Sequence, residues 1–104
     1  MMIKITVLYP NAPAAQFDME YYVNKHMPMV RQKCAPECRR IAAESGVAGG
    51  TPGSLPPYIA VGHLTFDSVE AFQKAFIPHA PEILADIPNY TNTQPIIQIS
   101  EVAL

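Results

Sequence analysis

Apolar residues recur at every second position between Ile3 and Tyr9, with Ile3, Ile5, Val7 and Tyr9 on one side and Lys4, Thr6 and Leu8 on the other. That period of two, in a β-branched run closed by the turn residues of "PNAPAAQ", predicts a first strand. "YIAVGHLTF", Tyr58 to Phe66, is the clearest strand in the chain, and Ile96 to Val102 predicts the last. Arg39 to Ser45 predicts a short strand, although "RRIAAES" alternates poorly. "GVAGGTPGSLPP" after it is a loop too long for a tight hairpin. The period changes after Asp18, a good helix N-cap, where Phe17 and Tyr22 are spaced to staple the first turn. Met19, Tyr22, Val23, His26 and Val30 then share a helical face. Pro28 cannot donate a hydrogen bond and its ring opposes the Asn24 carbonyl, so a kink or restart is expected near His26 and Met27, with helix to about Cys34. A second helix starts at Asp67 or Ser68, with Asp67 and Glu70 as a capping pair and Val69, Phe72 and Phe76 as its buried stripe. Pro78 and Pro81 break it, and a further turn covers Glu82 to Asp86.

The order β-α-β-β-α-β is the ferredoxin-like arrangement, a four-stranded antiparallel sheet with two helices on one face and the first and third strands central. The fold class is thus α+β, one domain over residues 1–104. Both faces of the third strand are apolar, with Tyr58, Ala60, Leu64 and Phe66 on one and Ile59 and Val61, beside His63 and Thr65, on the other. Two helices cover only one sheet face. Leaving the other wet forfeits several kcal/mol at about 25 cal/mol per Å² of apolar area, a large share of the roughly 5–15 kcal/mol that holds a small domain together. A second copy packed sheet to sheet removes that loss, so a homodimer is expected. The polar Lys4, Thr6, Gln98 and Ser100 point to a partly polar cavity or interface there and not a dry sandwich.

Composition narrows the partners. The chain is 49% hydrophobic and 15% charged, with a net charge of -2 that argues against nucleic acid or an anionic membrane as partner. "MMIKITVLYPN" does not read as a signal peptide and no apolar run has the length of a membrane span, so the expected location is cytoplasmic. Cys34 and Cys38 have neither redox nor zinc-site spacing and read as reduced thiols. His26, His63 and His79 match no local metal-ligand spacing, and no glycine-rich phosphate loop follows a strand, so neither a metal nor another cofactor is expected.

"MIKITVLYPN", "FDMEYYVNKHMPMV", "PYIAVGHLTFDSVEAFQKAF" and "ADIPNYTNTQPIIQISEV" together resemble the EthD family, over nearly the whole chain. The resemblance implies a dimeric α/β barrel, a homodimer with a pocket in each subunit between sheet and helices, and an oxidoreductase or monooxygenase-related activity. The wider superfamily also holds isomerases, cyclases and dehydratases, so fold alone does not choose the reaction.

His26 is the candidate catalytic residue. It shares a helical face with Tyr22, and a neutral imidazole in an apolar pocket exchanges protons near pH 7. The competing reading is a buried histidine bonded to a carbonyl freed by the Pro28 kink. Tyr22, one turn earlier, either donates to a substrate oxygen or is core. Asn89 and Tyr90, in a loop past the sheet end, are further candidate substrate contacts, although Asn after Pro is also an ordinary turn former. His63 lines either the cavity or the dimer interface. The reading is a cofactor-independent enzyme acting on a hydrophobic, aromatic or carbonyl-bearing small molecule. Its rivals are an isomerase, cyclase or dehydratase with the same proton chemistry, and a non-catalytic protein that binds a hydrophobic ligand.

Overall fold

The structure, a computed structural model, describes residues 1–104. Strand β1 (Ile3–Pro10) leads to α1 (Met19–Tyr21), a π-helical segment (Tyr22–His26) and α2 (Met27–Lys33). Strands β2 (Arg40–Ser45) and β3 (Tyr58–Phe66) follow, then α3 (Val69–Phe76), a 3-10 turn (Ile77–His79), α4 (Ala80–Ala85), a second 3-10 turn (Ile87–Asn89) and β4 (Ile96–Glu101). The sheet order is β2-β3-β1-β4 and each neighbouring pair is antiparallel. This is the α+β, ferredoxin-like arrangement that the alternation pattern predicts, with β1 and β3 central.

Register sorts the side chains. Ile5 lies opposite Leu64 and Val7 opposite Gly62, while Thr6 lies opposite His63. Ile3, Ile5, Tyr9, Ala60, Leu64 and Phe66 are buried on the helix side, where they form one core with Tyr22, Met27, Val30, Ala75 and Ile83. Alternation sends Thr6, Leu8, Ile59, Val61 and His63 to the opposite face, where no helix lies and each is half-buried. The helices do not reach the sheet edge either. Ile97 and Ile99 pair with Val7 and Ile5, which puts them on the helix side, yet they are 49% and 45% exposed.

Asp18 caps α1 as expected, its Oδ1 accepting from the Tyr21 N–H at 3.0 Å, and the Phe17 and Tyr22 rings meet at 5.0 Å. The restart expected near His26 and Met27 is present and takes the form of a wide turn: the Met27 N–H donates to the Tyr22 carbonyl five residues back, α2 begins at Met27, and Pro28 falls in its first turn. The wider turn carries Val23 out of the buried face, so it is 42% exposed, and puts Met27 in its place. The cap of α3 is also Ser68, whose Oγ accepts from the Ala71 N–H at 3.0 Å, and not an Asp67–Glu70 pair. Asp67 faces Arg39 instead, at 2.8 Å.

Candidate active site

The wide turn stacks the Tyr22 and His26 rings, 5.6 Å apart and 14° from parallel, on the helix side of the sheet. Both are buried, at 1% and 4% exposure. From the far end of the chain, α4 closes at Asp86, which also opens the 3-10 turn to Asn89. The loop beyond is tied to the first helix by the Asp18 N–H donating to the Tyr90 carbonyl at 2.7 Å and by a Phe17–Thr91 bridge. Those ties hold Asp86 and Tyr90 against residues 21–26.

His26 Nδ1 lies 2.8 Å from Asp86 Oδ2. The other carboxylate oxygen accepts from the Tyr21 hydroxyl at 2.6 Å and from the Asn89 amide at 2.9 Å. Burial raises the Asp86 pKa, but the hydrogen bonds from Tyr21, Asn89 and His26 outweigh it and hold the carboxyl below its usual range. Desolvation wins at His26, lowering its pKa below the ordinary value despite the opposing pull of Asp86. Near neutral pH the pair is therefore a carboxylate and a neutral imidazole. On the other side of the ring, Nε2 lies 3.3 Å from the Tyr90 hydroxyl, which lies 2.7 Å from the Tyr9 hydroxyl. Desolvation raises the pKa of Tyr9, Tyr22 and Tyr90, so all three phenols are neutral.

A cavity of about 50 Å³ opens between this cluster and the sheet, walled by Val7, Tyr9, Tyr22, His26, Leu84 and Ile97 among others. At roughly 10–15 Å³ per water it admits about four waters or one compact head group. Its lining is almost entirely apolar. The Tyr22 hydroxyl lies over Gly62, where any Cβ would collide with it. A separate polar groove, bounded by Gln16, Asp18, Asn89 and Asn92, runs over the outer side of Tyr90. No three His, Cys, Asp or Glu side chains converge as a metal site, and no helix is long and apolar enough to cross a membrane. Cys34 and Cys38 are free thiols, burial pushing the buried Cys34 up to about 11.

Of the residues that the sequence singles out, His26, Tyr22 and Tyr90 come together. Asn89 does so indirectly: it is exposed and its amide is spent on Asp86. His63 on β3 is also among the cavity-lining residues, but its ring nitrogens are engaged away from the His26 cluster, with Nδ1 3.4 Å from Thr6 Oγ1 and Nε2 3.0 Å from Glu44 Oε1. The sequence reading missed Asp86, Tyr21 and Tyr9. Asp86 is separated from His26 by 60 residues and gave no local signal. Tyr9 was legible, because alternation carries it to the same side as Ile3, Ile5 and Val7.

The family model for the EthD domain matches residues 11–94. An EthD-like protein from Ralstonia eutropha JMP134 is 43% identical, with 99% of this chain and 93% of that one aligned at a TM-score of 0.95. A dimeric ferredoxin-like protein of unknown function from Thermobifida fusca YX is 17% identical (98% and 92% covered, TM-score 0.62). A Bordetella bronchiseptica protein named as a candidate antibiotic biosynthesis monooxygenase is 14% identical (99% and 98% covered, TM-score 0.62). No curated protein matches the chain. The family match over most of the chain and the close Ralstonia relative lead to one conclusion: this protein belongs to the EthD family.

Proposed function

We propose that the protein is a small-molecule enzyme in which His26 serves as general base toward a hydrophobic, aromatic or carbonyl-bearing substrate. The observation that carries this reading is a neutral, buried imidazole backed by a carboxylate at the wall of an apolar cavity. A purely structural histidine does not need a carboxylate at Nδ1, since a backbone carbonyl would accept that N–H as well. The carboxylate stabilises the imidazolium that proton abstraction creates, and the dry walls strengthen that pairing. Tyr22, whose hydroxyl lies over Gly62 at the cavity wall, is placed to donate to an oxygen that becomes negative. Asn89 acts through Asp86 and not on substrate.

A second reading, favoured by the name of the Bordetella relative, is cofactor-independent oxygenation, in which the same base generates an electron-rich carbanion that reacts with oxygen. Both readings need His26. His26→Gln is expected to lower kcat/KM on any turned-over substrate by about 100-fold or more, the usual contribution of a positioned base. Unchanged turnover would sink the base assignment. Lost turnover with retained ligand binding would exclude a simple binder. Because the His26 pKa is held below its ordinary value of about 6.5, the base form persists as pH falls past that point. The acid limb of kcat/KM is therefore expected below pH 6.5, and a limb above it would contradict the buried, neutral state.

The protein is further proposed to work as a homodimer. Leu8, Ile59, Val61 and Ile96 lie on the helix-free face, and the Thermobifida relative is described as dimeric. Sedimentation is expected to give twice the 11.4 kDa of one chain, and Val61→Lys to shift it to the monomer. A wild-type chain that sediments as a monomer would refute the assignment.

A further inference from the structure

Both ring nitrogens of His26 are engaged, so the imidazole offers the cavity no free lone pair. An ionised carboxylate carries no hydrogen, so the Nδ1–Asp86 contact makes Nδ1 the donor and leaves Nε2 a bare acceptor. Tyr90 must then donate to Nε2. A phenol has one hydrogen, so in the 2.7 Å contact with Tyr9 the Tyr90 oxygen accepts and Tyr9 donates. Every hydrogen bond from Tyr9 to Asp86 thus points the same way. At the open end stands the Tyr9 oxygen, which beside the Tyr22 hydroxyl keeps room to accept a further hydrogen bond, and Tyr9 lines the cavity.

We propose that Tyr9 and Tyr90 form a directed proton relay from the cavity to His26 Nε2, and that the Tyr9 oxygen, not the imidazole, meets the acidic hydrogen of a bound substrate. This inference rests on the base reading of His26. The substrate X–H bond breaks and its proton joins the Tyr9 oxygen. The Tyr9 hydrogen moves to Tyr90 and the Tyr90 hydrogen moves to Nε2. The products are the substrate anion, two neutral tyrosines and an imidazolium paired with the Asp86 carboxylate, and no oxidant or reductant is consumed. The Tyr22 hydroxyl, over Gly62 at the same cavity wall, is placed to donate to the anion.

The test uses 5-nitrobenzisoxazole, a small aromatic probe from which a base removes the C3 proton. The C–H electrons complete a nitrile, the N–O bond breaks, and 2-cyano-4-nitrophenolate is read by its colour. Wild-type protein is expected to accelerate this opening, and His26→Gln, Tyr9→Phe and Tyr90→Phe each to lose about 100-fold or more of that rate. Rates in mixtures of H2O and D2O should bow, reporting several protons in flight. Loss in His26→Gln with full rate in Tyr9→Phe would keep the base and overturn the relay, as would a linear isotope dependence. No acceleration by the wild type would overturn both. Should the tyrosine variants fail to fold, nitrogen NMR of the wild type still decides. A neutral His26 with its hydrogen on Nδ1 is expected, and a hydrogen on Nε2 reverses the chain and overturns the relay.

Discussion

Asp86→Ala is expected to destabilise the fold by about 3 kcal/mol, because three donors converge on one carboxylate and hydrogen bonds to charged groups contribute about 1.5–3 kcal/mol each. The three do not count equally. Asn89 is exposed and finds water at once, and the Tyr21 hydroxyl is partly accessible. His26 is 5% exposed at the side chain, so its Nδ1–H has nowhere else to go. For a domain of this size the loss corresponds to a melting temperature lowered by about 12 °C or more. A melting temperature equal to wild type would show that the network is not holding the 3-10 turn against the first helix.

The pH dependence of the same pair has one sign. The folded His26 pKa and the folded Asp86 pKa both lie below their ordinary values, so the unfolded chain binds more protons at both sites. The histidine contribution is complete above about pH 6.5 and fades as pH falls toward the lower folded value. The aspartate contribution fades only in strong acid, below about 3.9. Asp86→Asn removes the second of these and lowers the His26 pKa further, since desolvation is then unopposed by the carboxylate.

Gly62→Ala carries the other large effect, and it depends on Tyr22. A Cβ at Gly62 would overlap the Tyr22 hydroxyl and come within 3.2 Å of the ring carbon that bears it. That ring is 1% exposed and wedged among Tyr9, His26, Phe17 and Tyr90, so it cannot swing aside. Overpacking of this kind costs about 1–3 kcal/mol. Tyr22→Phe deletes the hydroxyl and should relieve the overlap. In that background Gly62→Ala should cost little or turn stabilising, since a side chain reduces the freedom of the unfolded chain by about 0.4–1 kcal/mol. Denaturant unfolding of the two single variants and the double variant measures the coupling. Additive single effects would mean that the overlap does not constrain Tyr22.

Much of the architecture was legible along the chain. The alternation of Ile3, Ile5, Val7 and Tyr9, the "YIAVGHLTF" run and the Asp18 cap are each decided within a few residues, and each holds in the fold. Their order then leaves few topologies. The failures came where two local rules compete or where a partner is remote. Pro28 conflicts with a helix that Tyr22 and Met27 have reasons to continue, and a wide turn resolves the conflict by moving Val23 to solvent. Ser68 and Asp67 both suit a cap, and Arg39, brought alongside by the chain entering β2, settles which one serves.

The sequence by itself determined the strands, the helices, their order and the candidacy of His26 and Tyr22, because periods of two and of about 3.6 depend only on neighbours along the chain. Only the tertiary structure decided that His26 meets Asp86, that Tyr90 and Tyr9 continue that line of hydrogen bonds, and that the His63 ring bonds Glu44 and not the His26 cluster. A hydrogen-bond partner is chosen by which surfaces come within about 3 Å, and that distance is set by sheet register and helix packing, which no local pattern encodes.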